Sequence, residues 1–185
     1  MTKDKFRSLI RLIVGSVVVI SMQSISVGQT PAWYTTIKQI KLLETKRSEV
    51  EILLQPVEII KTSQSVVGLS VDYRVKHASI SVLYSHGKCM PNSEYGYDVF
   101  KDTVIEIEIL LRKPLDISRF DFDLSKFEKS EVGDVIGLFN YTNEEDGQEL
   151  YGTSSKLSNI ILSPTKKLQR LACENVSKCI IKVHS

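Results

Sequence analysis

The stretch TVIEIEILL, Thr103–Leu111, decides how this chain is read. Ile105, Ile107, Ile109 and Leu111 fall on one side, and Val104, Glu106, Glu108 and Leu110 on the other. Period two is the mark of a β-strand, whose successive side chains point to opposite faces. Two carboxylates in the middle of the second side mark it as the face turned to water. A strand with one apolar and one wet face belongs to an antiparallel sheet with a solvated side.

The same period recurs outward from this strand. Leu69, Val71, Tyr73 and Val75, then Ile80, Val82 and Tyr84, form two alternating runs broken at Lys76-His77-Ala78, which predicts a hairpin. Downstream, GLFNYT and QELYGT flank NEEDG, a turn in which Gly147 supplies a positive φ. LSNIILSP is a strand stopped by Pro164, SKFEKSE fits a short strand, and IIKVHS fits a last one. Helical signals are fewer. ETKRSEVEILLQPVE has Thr45 as N-cap, Glu49 and Glu51 early, an apolar face of Val50, Leu53 and Leu54, and Pro56 as its stop. The three- and four-residue spacing of Trp33, Ile37, Ile40 and Leu43 suits a helix or a short extended segment. KPLDISRFDFD reads as a helical turn, and TKKLQRLAC as a short terminal helix or turn. The expected fold is therefore α+β, an antiparallel sheet of hairpins with one or two short helices packed on one face.

The N-terminus has a separate character. MTKDKFRSLIR carries Lys3, Lys5, Arg7 and Arg11 against Asp4, and Leu12–Ile20 is an apolar run interrupted only by Gly15 and Ser16. Basic residues, a short apolar run and then small residues make a secretory signal peptide over 1–28, with Ser26-Val27-Gly28 as the cleavage site and Ser24-Ile25-Ser26 as a second candidate. The apolar run is about half the ~20 residues a spanning helix needs. The alternative is an uncleaved membrane anchor. Residues 29–185 then form a single domain, within which two weakly similar helix and hairpin halves fall at about 29–113 and 114–185. Taking four bases and one acid from the chain's 24 and 22 leaves 20 and 21, a net of −1. That balance gives no electrostatic drive for nucleic-acid binding.

Two resemblances follow from these segments. Thr45, Arg47, Glu49, Val50, Leu53, Leu54 and Pro56 resemble, in kind, the pattern Thr-Arg-x-(Asp/Glu)-Val-x-x-Leu-Leu-Gly-x-Pro of the SmpA/OmlA outer-membrane-assembly lipoproteins and the β-lactamase-inhibitor-like fold. There the helix is packed on an antiparallel sheet. The chain departs from that pattern in carrying Gln55 where Gly is expected, and in lacking the lipid-bearing Cys. Residues 33–173 more closely resemble a group of uncharacterised secreted bacterial proteins. Tyr84, Ser85, Gly87, Cys89, Asp102–Ile105, Phe127–Lys129 and Tyr141–Asn143 carry that likeness. It implies a fold type and an export route, and no activity.

Candidate chemistry starts with three cysteines, Cys89, Cys173 and Cys179. In an exported chain they favour a disulfide, Cys89–Cys173 first and Cys173–Cys179 as the local alternative. A nucleophile Cys89 with His86 as base has no surrounding signature, and His86-x-x-Cys89 has no second ligand pair for a metal. Asp121 and Asp123, and Glu144, Glu145, Asp146 and Glu149, are carboxylate clusters that serve acid–base hydrolysis only if folding sets them across a cleft. Asn140-Tyr141-Thr142 and Asn175-Val176-Ser177 match glycosylation acceptors, meaningful only in a eukaryotic secretory route. Tyr95, Tyr97 and Phe100 lie in the loop NSEYGYDVF, where aromatic residues suit a binding surface. These features predict no catalytic residue, cofactor or metal. The expected function is an exported non-catalytic domain, periplasmic or extracellular, that binds a protein or an envelope component, with no nucleic acid and no transmembrane span once the leader is removed. Edge strands and the 85–102 loop are its expected contact elements. The alternative is a secreted hydrolase or thiol enzyme.

Overall fold

The computed structural model describes residues 30–65, 67–89, 96–133 and 135–168. The expected leader, Tyr95, Cys173, Cys179, Asn175 and the expected last strand lie outside them. Eight strands form one antiparallel sheet: β1 Glu58–Gln64, β2 Gly68–Arg74, β3 Ala78–Ser85, β4 Val104–Asp116, β5 Glu128–Glu131, β6 Phe139–Asn143, β7 Gln148–Gly152 and β8 Lys156–Leu162. Their order is β1-β2-β3-β4-β8-β7-β6-β5. Two four-strand meanders therefore meet through their last strands, β4 and β8.

The α+β expectation is corrected here, because the sheet dominates. The described α-helix is confined to α1, Ala32–Ile37, and α2, Arg47–Leu54. Two expected helical segments form and are short. After Ile37 the apolar spacing continues through turns instead, and Leu43 takes a left-handed φ of 64°. In KPLDISRFDFD, β4 runs on to Asp116, and the expected helical turn is the 3₁₀ turn Ile117–Arg119 that follows it. The β4–β8 register slips between Leu110 and Leu115, around Pro114, whose missing N–H cannot serve a ladder. The sequence also hides a strand. All seven residues of β1 are exposed, and a bulge at Ile60 breaks their alternation.

Across the middle of the sheet one row faces the helices: Ile59, Tyr73, Ile80, Ile109, Ile160, Leu150, Tyr141 and Lys129, one residue from each strand. Tyr73, Ile80, Ile109, Ile160 and Leu150 are buried completely or almost so. Val50 of α2 and Ile37 of α1 join them in one core cluster. Val104, expected on the wet side, is also fully buried. The β3–β4 ladder shifts between Leu83 and Tyr84, so Val104 comes to lie opposite Tyr84.

Helix α2 begins at Arg47, later than a Thr45 cap implies. The Lys46 backbone N–H donates to Glu49 Oε2 at 2.6 Å, while Thr45 Oγ1 accepts from the Lys41 N–H at 2.9 Å and closes the preceding turn. At the other end Gln55 adopts a φ of 42°, the left-handed conformation in which helices commonly end on Gly. That is the position where the resembled pattern carries Gly. Below α2, Arg47 Nε donates to Glu51 Oε1 at 2.8 Å. Tyr73 Oη donates to the same oxygen at 3.3 Å, and the Tyr73 and Tyr84 hydroxyls lie 2.9 Å apart. Burial raises the Tyr73 and Tyr84 hydroxyls above the ordinary phenol range, so both stay protonated.

A second packing centre joins α1 to the connection between the meanders. The Tyr34 and Phe120 rings meet edge-on at 5.1 Å, Phe120 stacks on Phe122 at 5.8 Å, and Phe122 meets Phe127 edge-on at 6.0 Å. This aromatic run fixes the chain as it passes from β4 to β5. In the β6–β7 turn Gly147 has a φ of 64°, and a Cβ there would lie 2.1 Å from the Ser163 carbonyl oxygen.

Candidate functional site

The opposite face of the sheet is mostly polar. One row reads Lys61, Asp72, Ser81, Glu108, Ile161, Glu149, Thr142 and Glu128 from β1 to β5. The next reads Glu58, Arg74, Ser79, Leu110, Asn159, Tyr151, Asn140 and Ser130. These residues are half-buried or exposed, while the helices sit over the other face. At ~4.8 Å between strands, eight strands make this face about 34 Å across.

Its centre is acidic and internally braced. Glu106 and Glu108 project from β4, and Glu149 from β7 reaches the same region because β8 lies between them. Asn159 Nδ2 donates to Glu108 Oε1 at 2.8 Å, Ser163 Oγ to Glu106 Oε2 at 3.2 Å, and Tyr151 Oη to Glu149 Oε2 at 2.8 Å. Desolvation pushes the half-buried Glu106 carboxyl above its ordinary range. Ser163 opposes that shift, and the charges of Glu108 and Glu149 add to it. The hydrogen bond to Glu149 is the main cause that raises the Tyr151 hydroxyl. From β3 to β6 neither row contains a cation. Leu110, 55% exposed, adds an apolar contact point beside the carboxylates.

A groove of about 520 Å³ lies on the helical side, between α1, the 120–127 connection and the end of β8. Ile37, Phe122, Phe127 and Leu162 line it. Asp121, Asp123 and Asp146, drawn from both carboxylate clusters, also reach it. Lys38 donates to Asp121 Oδ2 and holds that carboxyl below its ordinary range. The Ser125 hydroxyl, donating to Asp123 Oδ1 at 2.6 Å, does the same for Asp123. A general acid needs a carboxyl kept protonated near neutral pH, so the folding that gathers these acids tunes Asp121 and Asp123 the other way.

The remaining sequence candidates are dispersed. Phe100 is 68% exposed, with Lys46 Nζ 4.9 Å and Lys88 Nζ 5.4 Å from its ring centre. Tyr97 is half-buried, and Tyr95 is outside the described residues. Cys89 is half-buried. His86 is exposed, with Nε2 2.9 Å from the Ser65 carbonyl oxygen. Glu145 forms an ion pair with Lys166 at 3.1 Å. Asn140 lies within β6, half-buried on the polar face. Among the described residues no group of three His, Cys, Asp or Glu is arranged to hold a metal ion. Among the same residues no helix is long and apolar enough to cross a membrane. The sequence marked Glu106 and Glu108 as water-facing. It missed their convergence with Glu149, whose only signal was alternation in QELYG.

No protein family, curated protein or solved structure matches the chain.

Proposed function

We propose that this chain is an exported, non-catalytic domain that binds a protein partner through the open face of its sheet. The carrying observation is the acidic centre formed by Glu106, Glu108 and Glu149, spread over a face about 34 Å across with no cation in its two rows from β3 to β6. A face of that width offers the area that a standard protein–protein interface uses on one partner. Its charge selects a partner with a basic surface, since complementary potential speeds encounter and rejects like-charged competitors. Leu110, Ile161 and Tyr151 supply the apolar and aromatic contacts that such interfaces place among polar groups. The expected contact residues Tyr95, Tyr97 and Phe100 belong to the same proposal as a further contact element. The signal-peptide pattern of residues 1–28 supports export, and the likeness to SmpA/OmlA and β-lactamase-inhibitor-like proteins belongs to the same proposal.

The test is affinity capture from the native envelope with three proteins: wild type, a Glu108→Lys/Glu149→Lys variant, and a Lys126→Ala control on the groove. The reading expects a recurring basic partner with wild type and control, lost with the charge-reversed variant and weakened by added salt. Capture that is indifferent to the reversed charges overturns it.

A further inference from the structure

The two edges of the sheet are built differently. β5 at one edge is only four residues, EKSE, three of them charged, which is how natural sheets discourage strand addition. β1 at the other edge has seven residues, all exposed. Val57, Ile59 and Ile60 there are 78%, 46% and 42% exposed, and Ile52 on α2 is 71% exposed. Val57, Ile59 and Ile60 therefore form an exposed apolar run along this edge.

The bulge sets the pattern along this edge. Ile59 pairs with Tyr73 and Lys61 with Asp72, which leaves Ile60 as the extra residue. Glu58 and Lys61 consequently both belong to the rows of the open face, with Ile59 and Ile60 between them. An antiparallel copy of β1, related by a two-fold axis between Ile59 and Ile60, sets Glu58 opposite Lys61 of the second copy and Lys61 opposite its Glu58. It sets Ile59 opposite Ile60 and Val57 opposite Thr62. Glu58 already binds Arg74 at 2.7 Å, so its carboxylate would lie between two cations. Lys61 forms no ion pair among the described residues. A one-residue slip destroys this match, so the bulge and the charges that hinder other strands favour this one register.

We propose that a second copy of this chain docks along β1, in this register, to form a dimer with one continuous sheet. The pairing covers Val57, Ile59 and Ile60 of both copies. It is an isologous contact, closed by its own two-fold axis. It also doubles the length of the open face and stands independently of what that face binds.

Sedimentation velocity on the exported protein, over a concentration series, tests the proposal. The expected result is a dimer for wild type and a monomer of unchanged circular dichroism for Ile60→Lys, a substitution at an exposed site. Lys61→Glu should weaken association about tenfold, and Glu58→Lys/Lys61→Glu/Arg74→Glu, which exchanges all three charges, should restore it. Amide exchange of the β1 backbone should slow in the dimer. A wild-type protein that stays monomeric throughout the series overturns the proposal. So does a dimer that survives Ile60→Lys, is not rescued by the charge exchange, or leaves the β1 amides unprotected.

Discussion

Removing the hydroxyl of Tyr73 should cost more than removing that of Tyr84, although the two oxygens share one hydrogen bond. Tyr73 has a single hydrogen, and the structure directs it at Glu51. The 2.9 Å contact between the hydroxyls is then served by the Tyr84 hydrogen. Both side chains are fully buried. Tyr84→Phe removes one donor and leaves Tyr73 still bonded to Glu51, a loss of about 1 kcal/mol. Tyr73→Phe strands the Tyr84 hydroxyl without an acceptor, and an unsatisfied buried group raises the loss to about 2–3 kcal/mol. Glu51 suffers little, because Arg47 remains at 2.8 Å. The double variant removes both partners and should cost about 1 kcal/mol, well below the sum of the singles. Urea unfolding measures this through the midpoint at constant slope. Equal single losses, or an additive double variant, would refute the assigned direction of the hydrogen-bond chain.

Three further outcomes are expected. Glu106 has a folded pKa above its ordinary value, so the folded state holds that proton more tightly than the unfolded chain. Its contribution to stability is present below the ordinary Glu range and lost as pH rises toward the raised value; Glu106→Gln should therefore stabilise the protein at neutral pH but not in acid, as read by thermal melts at both. Gln55→Gly should relieve the left-handed position after α2 and gain up to about 1 kcal/mol, and a loss in urea unfolding would count against the strain. Peptide mapping without reductant should recover Cys89 linked to Cys173; a Cys173–Cys179 peptide would show the local pairing instead.

What the sequence reveals is the strands whose faces differ. TVIEIEILL and ASISVLY alternate because each has one side in the core and one in water, and that contrast is written in their residues. β1 has no such contrast, since an edge strand with a bulge exposes every side chain, and EIIKTSQ accordingly resembles a loop. The helix at Ala32–Ile37 stops short of the spacing that suggested it, because Trp33, Ile37 and Ile40 reach one core through a helix that gives way to turns. The candidate surface was half visible. Glu106 and Glu108 are two apart on one strand, but Glu149 joins them only because β8 intervenes, a long-range pairing that local periodicity does not carry. The groove follows the same rule: both acidic clusters were evident, and their meeting at Asp121, Asp123 and Asp146 was not.

The seam between β4 and β8 also governs how the molecule is made. β4 is the longest strand, and its partner on one side is the last strand described. During synthesis the first meander emerges with Ile107 and Ile109 on an unfilled edge, and it must wait for Ile160 and Leu162 to arrive some fifty residues later. Closure over that separation is slow compared with hairpin formation, and an unpaired apolar edge is the feature that invites aggregation in the interval. A nascent chain halted before Lys156 would carry that exposed edge, so the ribosome and its attendant chaperones face the hazard before the folded protein does.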